Sequence, residues 1–443
     1  MKKIWSMIMA VVIAVALAGC GNEPGNAGNA GNAGNAGNAG NAGNERKKTY
    51  TFATWAAGTE LQEFQQIIDK VNENANGEYT IEVLSIPSDY YVKLSTKIAA
   101  KKSPDFFWLT QELISKYADM GALADITAQF EGSSTLSPDM FYEGVLNSAQ
   151  YKGSYWGIPW IANPLMIYYN KTMFEELKIP CPEATDDWTW EEFIDLCRQF
   201  SGKEYKGNTV YGTVIDGWPN IETFIWAGGG DIIGSDNTTI VLDSKEAKQG
   251  MHYLQTIVAE GLSPRYAEVS SLGDRNVWYE KQRVAMYFGG IQDNFEAKIA
   301  KKSEDEQFEI GYAPLPVCDG GGQWSFDWTA STVMAKSLEG DETAYKAIEA
   351  VTQAIFEWKI APPVKNSIDT VVQIDASKKD ALETIAYTLE YARSAHYIPE
   401  WSDINDKLWY NLYVQLLSDS DFNYEAKMDE IASYARELIS RRK

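Results

Sequence analysis

Histidine and cysteine are scarce: the 443 residues hold two His and four Cys. There is no His-Glu-x-x-His zinc motif, no Gly-x-Ser-x-Gly elbow and no Walker loop. Metalloprotease, α/β-hydrolase and P-loop chemistry therefore lack their usual signatures. His252 falls in a helical pattern and reads as solvated or packed; His396 lies close to Ile398-Pro399 and reads as structural, though near enough to reach a cleft. Positive charge is also in short supply. Lys and Arg number 39 against 62 Asp and Glu, a formal net charge of −23. Phosphate binding needs clustered Lys and Arg, so nucleic acid is excluded as a partner, and so is adhesion to anionic lipid by charge alone. Gly228-Gly229-Gly230 and Gly320-Gly321-Gly322 lack the spacing of a dinucleotide site and read as turns. Nothing points to a cofactor, a metal or a catalytic residue.

What is present begins at the N-terminus. Lys2 and Lys3 precede an apolar run from Ile4 to Ala18, interrupted by Ser6. The run falls short of the roughly 20 apolar residues that span a bilayer and fits the apolar region of a secretory signal. It ends in Leu17-Ala18-Gly19-Cys20, which resembles a bacterial lipobox. Residues 1–19 then read as a lipoprotein signal peptide and Cys20 as the lipid attachment site, which places the mature chain on the extracytoplasmic face of the cell membrane. From Gly25 to Ala42 the triplet Gly-Asn-Ala repeats without a break. No side chain there can build a core, and the proline of a collagen helix is missing. Residues 20–45 read as a flexible tether with a reach of about 25–30 Å, or as the slippage of a repetitive gene. Once Cys20 is assigned, Cys181, Cys197 and Cys318 remain, an odd number that makes no disulfide framework. Cys181 and Cys197 could pair, but buried free thiols are the simpler expectation.

Aromatics are the informative excess: 15 Trp, 25 Tyr and 16 Phe. Trp55, Trp108, Trp156, Trp160, Trp218, Trp226, Trp324 and Trp328 fall in or beside expected loops. Aromatic rings cover the flat C–H faces of sugars, while Asp, Asn, Gln and Arg satisfy sugar hydroxyls. Any single Trp is more simply a core residue, so the set carries the signal.

About 400 residues remain after the tether, enough for two lobes. Alternation predicts strands over Thr49–Trp55, Tyr79–Ile86 and Phe106–Leu109. Helices are expected from Leu61 through Val71, over Tyr90–Ala100 and over Glu112–Met120. This β-α-β-α-β order implies a mostly parallel sheet covered by helices. Tyr151–Trp160 reads as a hairpin turning at Lys152-Gly153, followed by a strand over Leu165–Tyr169. Thr189 and Glu192 form a capping box for a helix through Phe193, Leu196 and Cys197. Further strands are expected at Tyr211–Ile215, Val284–Phe288 and Phe308–Ala313, and a helix over Ser244–Glu260 closed by Gly261. The C-terminal part reads as helices over Ala344–Trp358, Ala381–Ala395, Asp403–Leu417 and Tyr424–Ile439. Open α/β sheets bind ligands beyond the carboxyl ends of their strands, which singles out Trp55-Ala56, Thr110-Gln111, Trp160 to Asn163 and the Gly289-Gly290 turn.

The order of motifs resembles the extracellular solute-binding proteins, family 1, the carbohydrate-binding subunits of ABC importers. Phe52-Ala53-Thr54-Trp55 is similar to the family's opening strand, and Ser103-Pro104-Asp105-Phe106 to a later strand entry. Gly157-Ile158-Pro159-Trp160 followed by Ile167-Tyr168-Tyr169-Asn170-Lys171 is the closest match. Trp188-Thr189-Trp190-Glu191-Glu192-Phe193, Arg283-Val284-Ala285-Met286, Ala313-Pro314-Leu315-Pro316 and Ile398-Pro399-Glu400-Trp401 with Ile404 and Leu408 also fit. Each motif is weak alone; their order over nearly all of the mature chain is specific.

The resemblance implies an α/β, two-lobed periplasmic-binding-protein-like fold (type II) with the ligand cleft between lobes. Lobe 1 would take residues 46–165 and 312–365, and lobe 2 residues 166–311 and 366–443. Carried over by position, Trp55, Gln111 and Asn163 line the first lobe or its border, Trp160 stacks nearby and Trp226 faces the cleft from the second lobe. Tyr90, Gly290, Asp327 and Trp328 complete the expected ligand-binding set. The implied partners are a carbohydrate and the permease subunits of an ABC importer, with the chain a monomer. The family often has Trp where this chain has Ile291, and a Gly-rich turn where it has Asp327-Trp328-Thr329-Ala330. Trp328 either supplies the ring that Ile291 does not, or packs under the turn. Two other readings stand beside this one: a surface-anchored polysaccharide-active enzyme, and a receptor passing its ligand to a membrane kinase. The adjacent carboxylates Asp186-Asp187 and Glu191-Glu192 do not suit glycoside hydrolysis, which needs two carboxyls about 5–10 Å apart across the scissile bond.

Overall fold

The computed structural model describes residues 47–182, 188–358 and 363–441. Cys20, the Gly-Asn-Ala repeat and Asp186-Asp187 lie outside the described residues. The chain begins as expected. Strands β1 (Lys48–Thr54), β2 (Tyr79–Ser85) and β3 (Phe106–Thr110) alternate with helices Gly58–Asn74 and Tyr90–Ala99. β1 pairs in parallel with both β2 and β3. The first helix buries Phe64, Ile68 and Val71, one stripe at helical spacing, and ends where Asn76 and Gly77 turn to positive φ. Every residue of β3 is buried, which fits its unbroken apolar run. Helix Gln111–Asp119 follows it directly and stops at Gly121, also at positive φ.

The expected hairpin is shorter than its sequence suggested. Lys152 and Gly153, both at positive φ, join β4 (Gln150–Tyr151) to β5 (Ser154–Tyr155). Ile158–Asn170 then forms one continuous strand, β6, which absorbs the strand expected at Leu165–Tyr169. A small hairpin of β7 (Glu204–Tyr205) and β8 (Asn208–Thr209) precedes β9 (Met286–Gly290), β10 (Ile310–Ala313), β11 (Ser325–Met334) and β12 (Ala392–Arg393).

The sheet is mixed rather than mostly parallel. β11 pairs antiparallel with β3 and with the first half of β6, with a bulge between Ala330 and Ser331. The second half of β6 runs antiparallel to β9 on one side and β10 on the other. The parallel order implied by the first three strands stops at β3, because β6 and β11 are long strands that run from one core to another. Ile158, Trp160, Ile161, Ala330 and Met334 pack with Phe52, Phe64, Trp108 and Ile348. Leu165, Ile167, Tyr169 and Phe326 pack instead with Trp190, Phe224, Leu254 and Phe288. Each of the two strands is thus anchored in two hydrophobic cores, which is the basis of a two-lobed fold.

Other departures are local. Tyr211–Ile215 makes a single bridge, Tyr211 with Val284, instead of a strand. Its next backbone amides go elsewhere: Thr213 N–H donates to the Leu262 carbonyl and Ile215 N–H to the Ser263 hydroxyl. The helix expected over Ala381–Ala395 ends at Glu390, and β12 follows, parallel to Ser325-Phe326. The helix expected over Asp403–Leu417 is continuous from Trp401 to Ser418 and includes a π-helical stretch, Leu408–Tyr413. Helices Trp190–Phe200 (with both halves of its Thr189/Glu192 capping box), Lys245–Ala259, Glu342–Ile355 and Tyr424–Ser440 match the expected ones within a few residues. Cys181, Cys197 and Cys318 are free thiols, so Cys181 and Cys197 do not pair.

A buried ion pair sits beneath the second half of β6. Lys378 Nζ lies 2.7 Å from Glu296, and the Tyr312 hydroxyl donates to the other oxygen of that carboxylate at 3.0 Å. Gly144 marks a tight seam. A Cβ there would overlap the Ala392 carbonyl oxygen at the start of β12. Gly144→Ala is therefore expected to destabilise the fold by roughly 1–3 kcal/mol, as overpacking does, and urea unfolding of the two proteins measures it.

Candidate functional site

The carboxyl ends of β1 and β3 and the middles of β6 and β11 meet beside the two cores. At the end of β1, the buried Thr54 hydroxyl accepts from Ala56 N–H, and the Ser85 hydroxyl donates to the Ala56 carbonyl. These bonds hold the turn that presents Trp55. Its half-buried ring stands edge-on to Tyr90 at 5.4 Å and lies 5.0 Å from Trp108 and 6.1 Å from Trp160. Trp160 is 2% exposed and Tyr90 7%. The Tyr90 hydroxyl donates to the carbonyls of Ala53 and Trp108, clamping β1 to β3. Of this aromatic cluster, Trp55 has the open ring; Tyr90 and Trp160 support it from below.

The polar centre is built across the strands. Gln111, the first residue of its helix, is buried. Its amide nitrogen donates to the Asp327 carbonyl at 3.1 Å and reaches the Tyr397 hydroxyl at 3.4 Å, and its oxygen accepts from Thr329 at 3.1 Å. Asn163 on β6 is cross-strand neighbour to Trp328 on β11. Its backbone N–H donates to Asp327 Oδ1 at 2.7 Å, and its side-chain oxygen accepts from Gln292 N–H at 3.2 Å. Gly290 lets the Asn163 amide approach closely, since a Cβ there would meet it. Asp327 is fully buried and its Oδ2 has no hydrogen-bond partner among the described residues; burial holds its carboxyl well above the usual range, against the pull of the Asn163 N–H. Trp328 is half-buried and packs against both cores, which places it at their junction.

On the far side, Trp226 is 1% exposed, packed on Trp324 and Phe326. Its indole N–H donates to Asp231, and the Arg393 guanidinium lies 4.1 Å from its ring centroid while also pairing with Asp231. Trp226 thus positions Asp231 and Arg393. Helix Ile221–Ala227 brings in Glu222, buried without a salt bridge among the described residues. Burial pushes its carboxyl up to about 7, with further upward push from the charges of Asp231 and Glu112. Glu112 accepts from the Thr110 hydroxyl at 2.5 Å, and burial raises its carboxyl too. The Tyr397 hydroxyl feels both acids, and its ring lies 4.9 Å from Trp401.

The structure thus gathers Trp55, Gln111, Asn163, Gly290, Asp327 and Trp328 into one arrangement, and seats Tyr90, Trp160 and Trp226 in the layer behind it. Gln292, Glu112, Glu222, Asp231, Arg393 and Tyr397 were not singled out from the sequence, and Thr329 stood out only as part of the Asp327-Trp328-Thr329-Ala330 turn. Tyr397 directly precedes the Ile398-Pro399-Glu400-Trp401 motif and Glu112 directly follows Gln111, which were the available signals; the others had none. Among the described residues no group of His, Cys, Asp and Glu could hold a metal ion.

The raised Glu222 pKa predicts a pH dependence. The folded state keeps a proton that the unfolded state releases above its ordinary value of 4.5, so stability falls as pH rises from there through about 7. Glu222→Gln removes this loss. The variant should match the parent near about pH 4 and exceed it near about pH 8 by up to roughly 3 kcal/mol, read as the difference between the two melting curves.

Comparison with known proteins agrees with this geometry. Residues 66–355 match the model of a family described as bacterial extracellular solute-binding protein. A Brucella abortus protein described as a binding protein is 24% identical over 356 residues, covering 76% of this chain and 81% of that one. The multiple sugar-binding protein of Streptococcus mutans is 26% identical over 199 residues, 42% of this chain and 45% of its own. Among solved structures, an ABC substrate-binding protein from Listeria monocytogenes in complex with cycloalternan superposes with a TM-score of 0.72. It is 21% identical and covers 89% of this chain and 99% of its own. The sugar-binding protein MalE of Xanthomonas citri gives 0.73 at 21% identity, covering 89% and 98%. With two thirds of its length inside the family model and its fold matched nearly end to end, the chain belongs to the bacterial extracellular solute-binding proteins.

Proposed function

We propose that this protein is the extracytoplasmic substrate-binding subunit of an ABC importer, taking an oligosaccharide into the cleft between its lobes and delivering it to the membrane permease. The observation that carries the reading is the junction of the two cores. There Trp55 and Trp328 offer rings, while Gln111, Asn163, Asp327 and Tyr397 offer a dense set of donors and acceptors. Sugars need that combination of apolar faces and hydroxyl partners. The multiple sugar-binding protein and the cycloalternan complex support the choice of ligand class. The lobes are residues 46–165 with 312–365 and 166–311 with 366–443, except that Leu165 and the stretch from Tyr312 to Phe326 pack with the second lobe's cores; the subunit acts as a monomer. Cys20 carries the lipid that holds it to the membrane, with residues 20–45 as tether. The site binds and does not hydrolyse. The adjacent acids Glu191 and Glu192 sit in the first turn of a helix, where they cap its N-terminus rather than flank a scissile bond.

Melting temperature recorded against mono- and oligosaccharides tests this. A ligand at a hundredfold excess over its dissociation constant stabilises by about 2.7 kcal/mol; no shift with any sugar, together with turnover of a polysaccharide, refutes it. Trp55→Ala and Trp328→Ala should each weaken sugar binding by roughly 1–3 kcal/mol with little loss of stability. Trp160→Ala should instead cost roughly 3–5 kcal/mol of stability, as a core truncation does. Calorimetry and thermal melts separate the two outcomes. Cys20→Ala should release the protein from membranes on fractionation, with sugar affinity unchanged.

A further inference from the structure

Lobe 1 has an end that faces away from the polar centre, where β1 begins. There Lys48 on β1 stands beside Tyr79 on β2, and β3 starts at Phe106 beside Phe52. Helices Tyr90–Ala99 and Gln111–Asp119 run back from the carboxyl ends of β2 and β3, so both finish at this same end. Backbone contacts tie it together. Thr51 N–H donates to the Asp105 carboxylate at 2.8 Å, Ala335 N–H to the Asp105 carbonyl, and Lys336 N–H to the carbonyl of Ala122, just past the second helix. The segment that precedes β1 joins the lobe here, at Lys47.

Charge at this end runs against the rest of the chain. Residues 90–104 contain Lys93, Lys97, Lys101 and Lys102 and no Asp or Glu, although acids outnumber bases 62 to 39 overall. Lys93 turns to Ser88 near the start of its helix. The other three sit on the last turn and just past it, where Lys101 N–H donates to the Ile98 carbonyl and Lys102 N–H to that of Lys97. Lys116 lies on the last turn of the neighbouring helix, which the Ser95 and Tyr117 hydroxyls join to the first at 2.8 Å. Lys47, Lys101 and Lys102 are exposed, Lys97 and Lys116 half-buried. Among the described residues none of these five lysines has an ion pair. The acids nearby are engaged elsewhere: Asp341 with Lys48, Asp119 with Lys152, Glu339 with Lys336 and Glu78 with Lys346, while Glu73 stands exposed. Met120, beside the stop at Gly121, adds an apolar side chain that is 59% exposed.

We propose that this end of lobe 1 is a membrane foot, resting its lysines on the anionic phospholipid headgroups of the bilayer that holds Cys20; the proposal rests on the lipid tether above. Charge alone does not bring it there, because a net charge of −23 repels an anionic surface at a distance. The tether does, since its reach of about 25–30 Å keeps the domain close to the headgroups. Within a Debye length the local lysines then outweigh the remote acids. A lipid chain with a basic patch is a two-signal membrane attachment. The place of entry favours lipid as the occupant: the tether reaches the lobe through Arg46-Lys47-Lys48, so the basic end is the part of the domain next to its own anchor. An upright stance follows. The carboxyl ends of the strands, with Trp55 and Gln111, point away from the bilayer toward arriving ligand.

The test uses the full mature chain, lipidated at Cys20 and reconstituted on vesicles of phosphatidylcholine, alone or mixed with phosphatidylglycerol. A water-soluble acetylating reagent labels exposed lysines, read by mass spectrometry. On the anionic vesicles Lys97, Lys101 and Lys102 should label about fivefold more slowly than on neutral ones. The difference should vanish at about 1 M salt, where the Debye length is ~3 Å. Lys206 and Lys301, exposed on lobe 2, should label alike on both. In the double variant Lys101→Gln with Lys102→Gln, Lys47 and Lys97 should return to their neutral-vesicle rates, with melting temperature and sugar affinity unchanged. Equal labelling of the parent on both vesicles, slowing that extends to Lys206 and Lys301, or protection that persists in the double variant overturns the foot and leaves the tether standing. A parent that floats with neither vesicle overturns the tether, and the foot with it.

Discussion

The antiparallel pairing of β6 with β11 is the constraint on which the rest of the structure depends. Both strands enter one core at one end and another core at the other, so their shared register sets how the two halves meet. At the crossing the pair places Asn163 opposite Trp328 and joins the Asn163 N–H to Asp327. Gln111 then ties its helix to the Asp327 carbonyl, and Gln292 ties the turn after β9 to Asn163. A one-residue slip of either strand would turn its side chains here, Asn163 on β6 or Asp327 and Trp328 on β11, to the opposite face. Ladder geometry therefore positions the middle of the polar centre.

The electrostatics of that centre are local. A chain with a net charge of −23 could favour cationic ligands through its overall field. Yet the carboxyls of Asp327, Glu112 and Glu222 are governed first by burial, which favours their neutral forms. A neutral carboxyl both donates and accepts, as a hydroxyl-rich ligand requires. Asp231 is held from two sides, by Arg393 and by the Trp226 indole.

Much of the fold was legible because its signals are short-range. The capping box at Thr189 and Glu192, the stop at Asn76-Gly77 and the apolar stripe of Phe64, Ile68 and Val71 depend on neighbours within a few residues. What escaped depends on distant partners. Tyr211–Ile215 has the composition of a strand, but its amides find Leu262 and Ser263 before a ladder. The unity of β6 is hidden by Pro159 and Pro164, which ordinarily interrupt strands. The site divides in the same way. Residues placed just after strands, such as Trp55 and Gln111, could be picked out from the order of elements. An aromatic such as Trp160 or Trp226 looks the same in sequence whether its ring is open or packed, and only the tertiary fold seats both behind the surface. Glu222 carried no local mark, since it matters only through what faces it.

The long-range pairing of β11 bears on how the chain is made. Its partners in the first core, Phe106 to Thr110 on β3, leave the ribosome long before Ser325 to Met334 exist. Until that later segment emerges, β3 lacks its neighbour on one side, and Phe107 and Leu109 lack Val333 and Ala335, with which they share a core. The N-terminal half of the molecule therefore cannot finish folding during most of its own synthesis. A chain destined for export benefits from that delay, because a polypeptide crosses a membrane most readily before its sheet has closed.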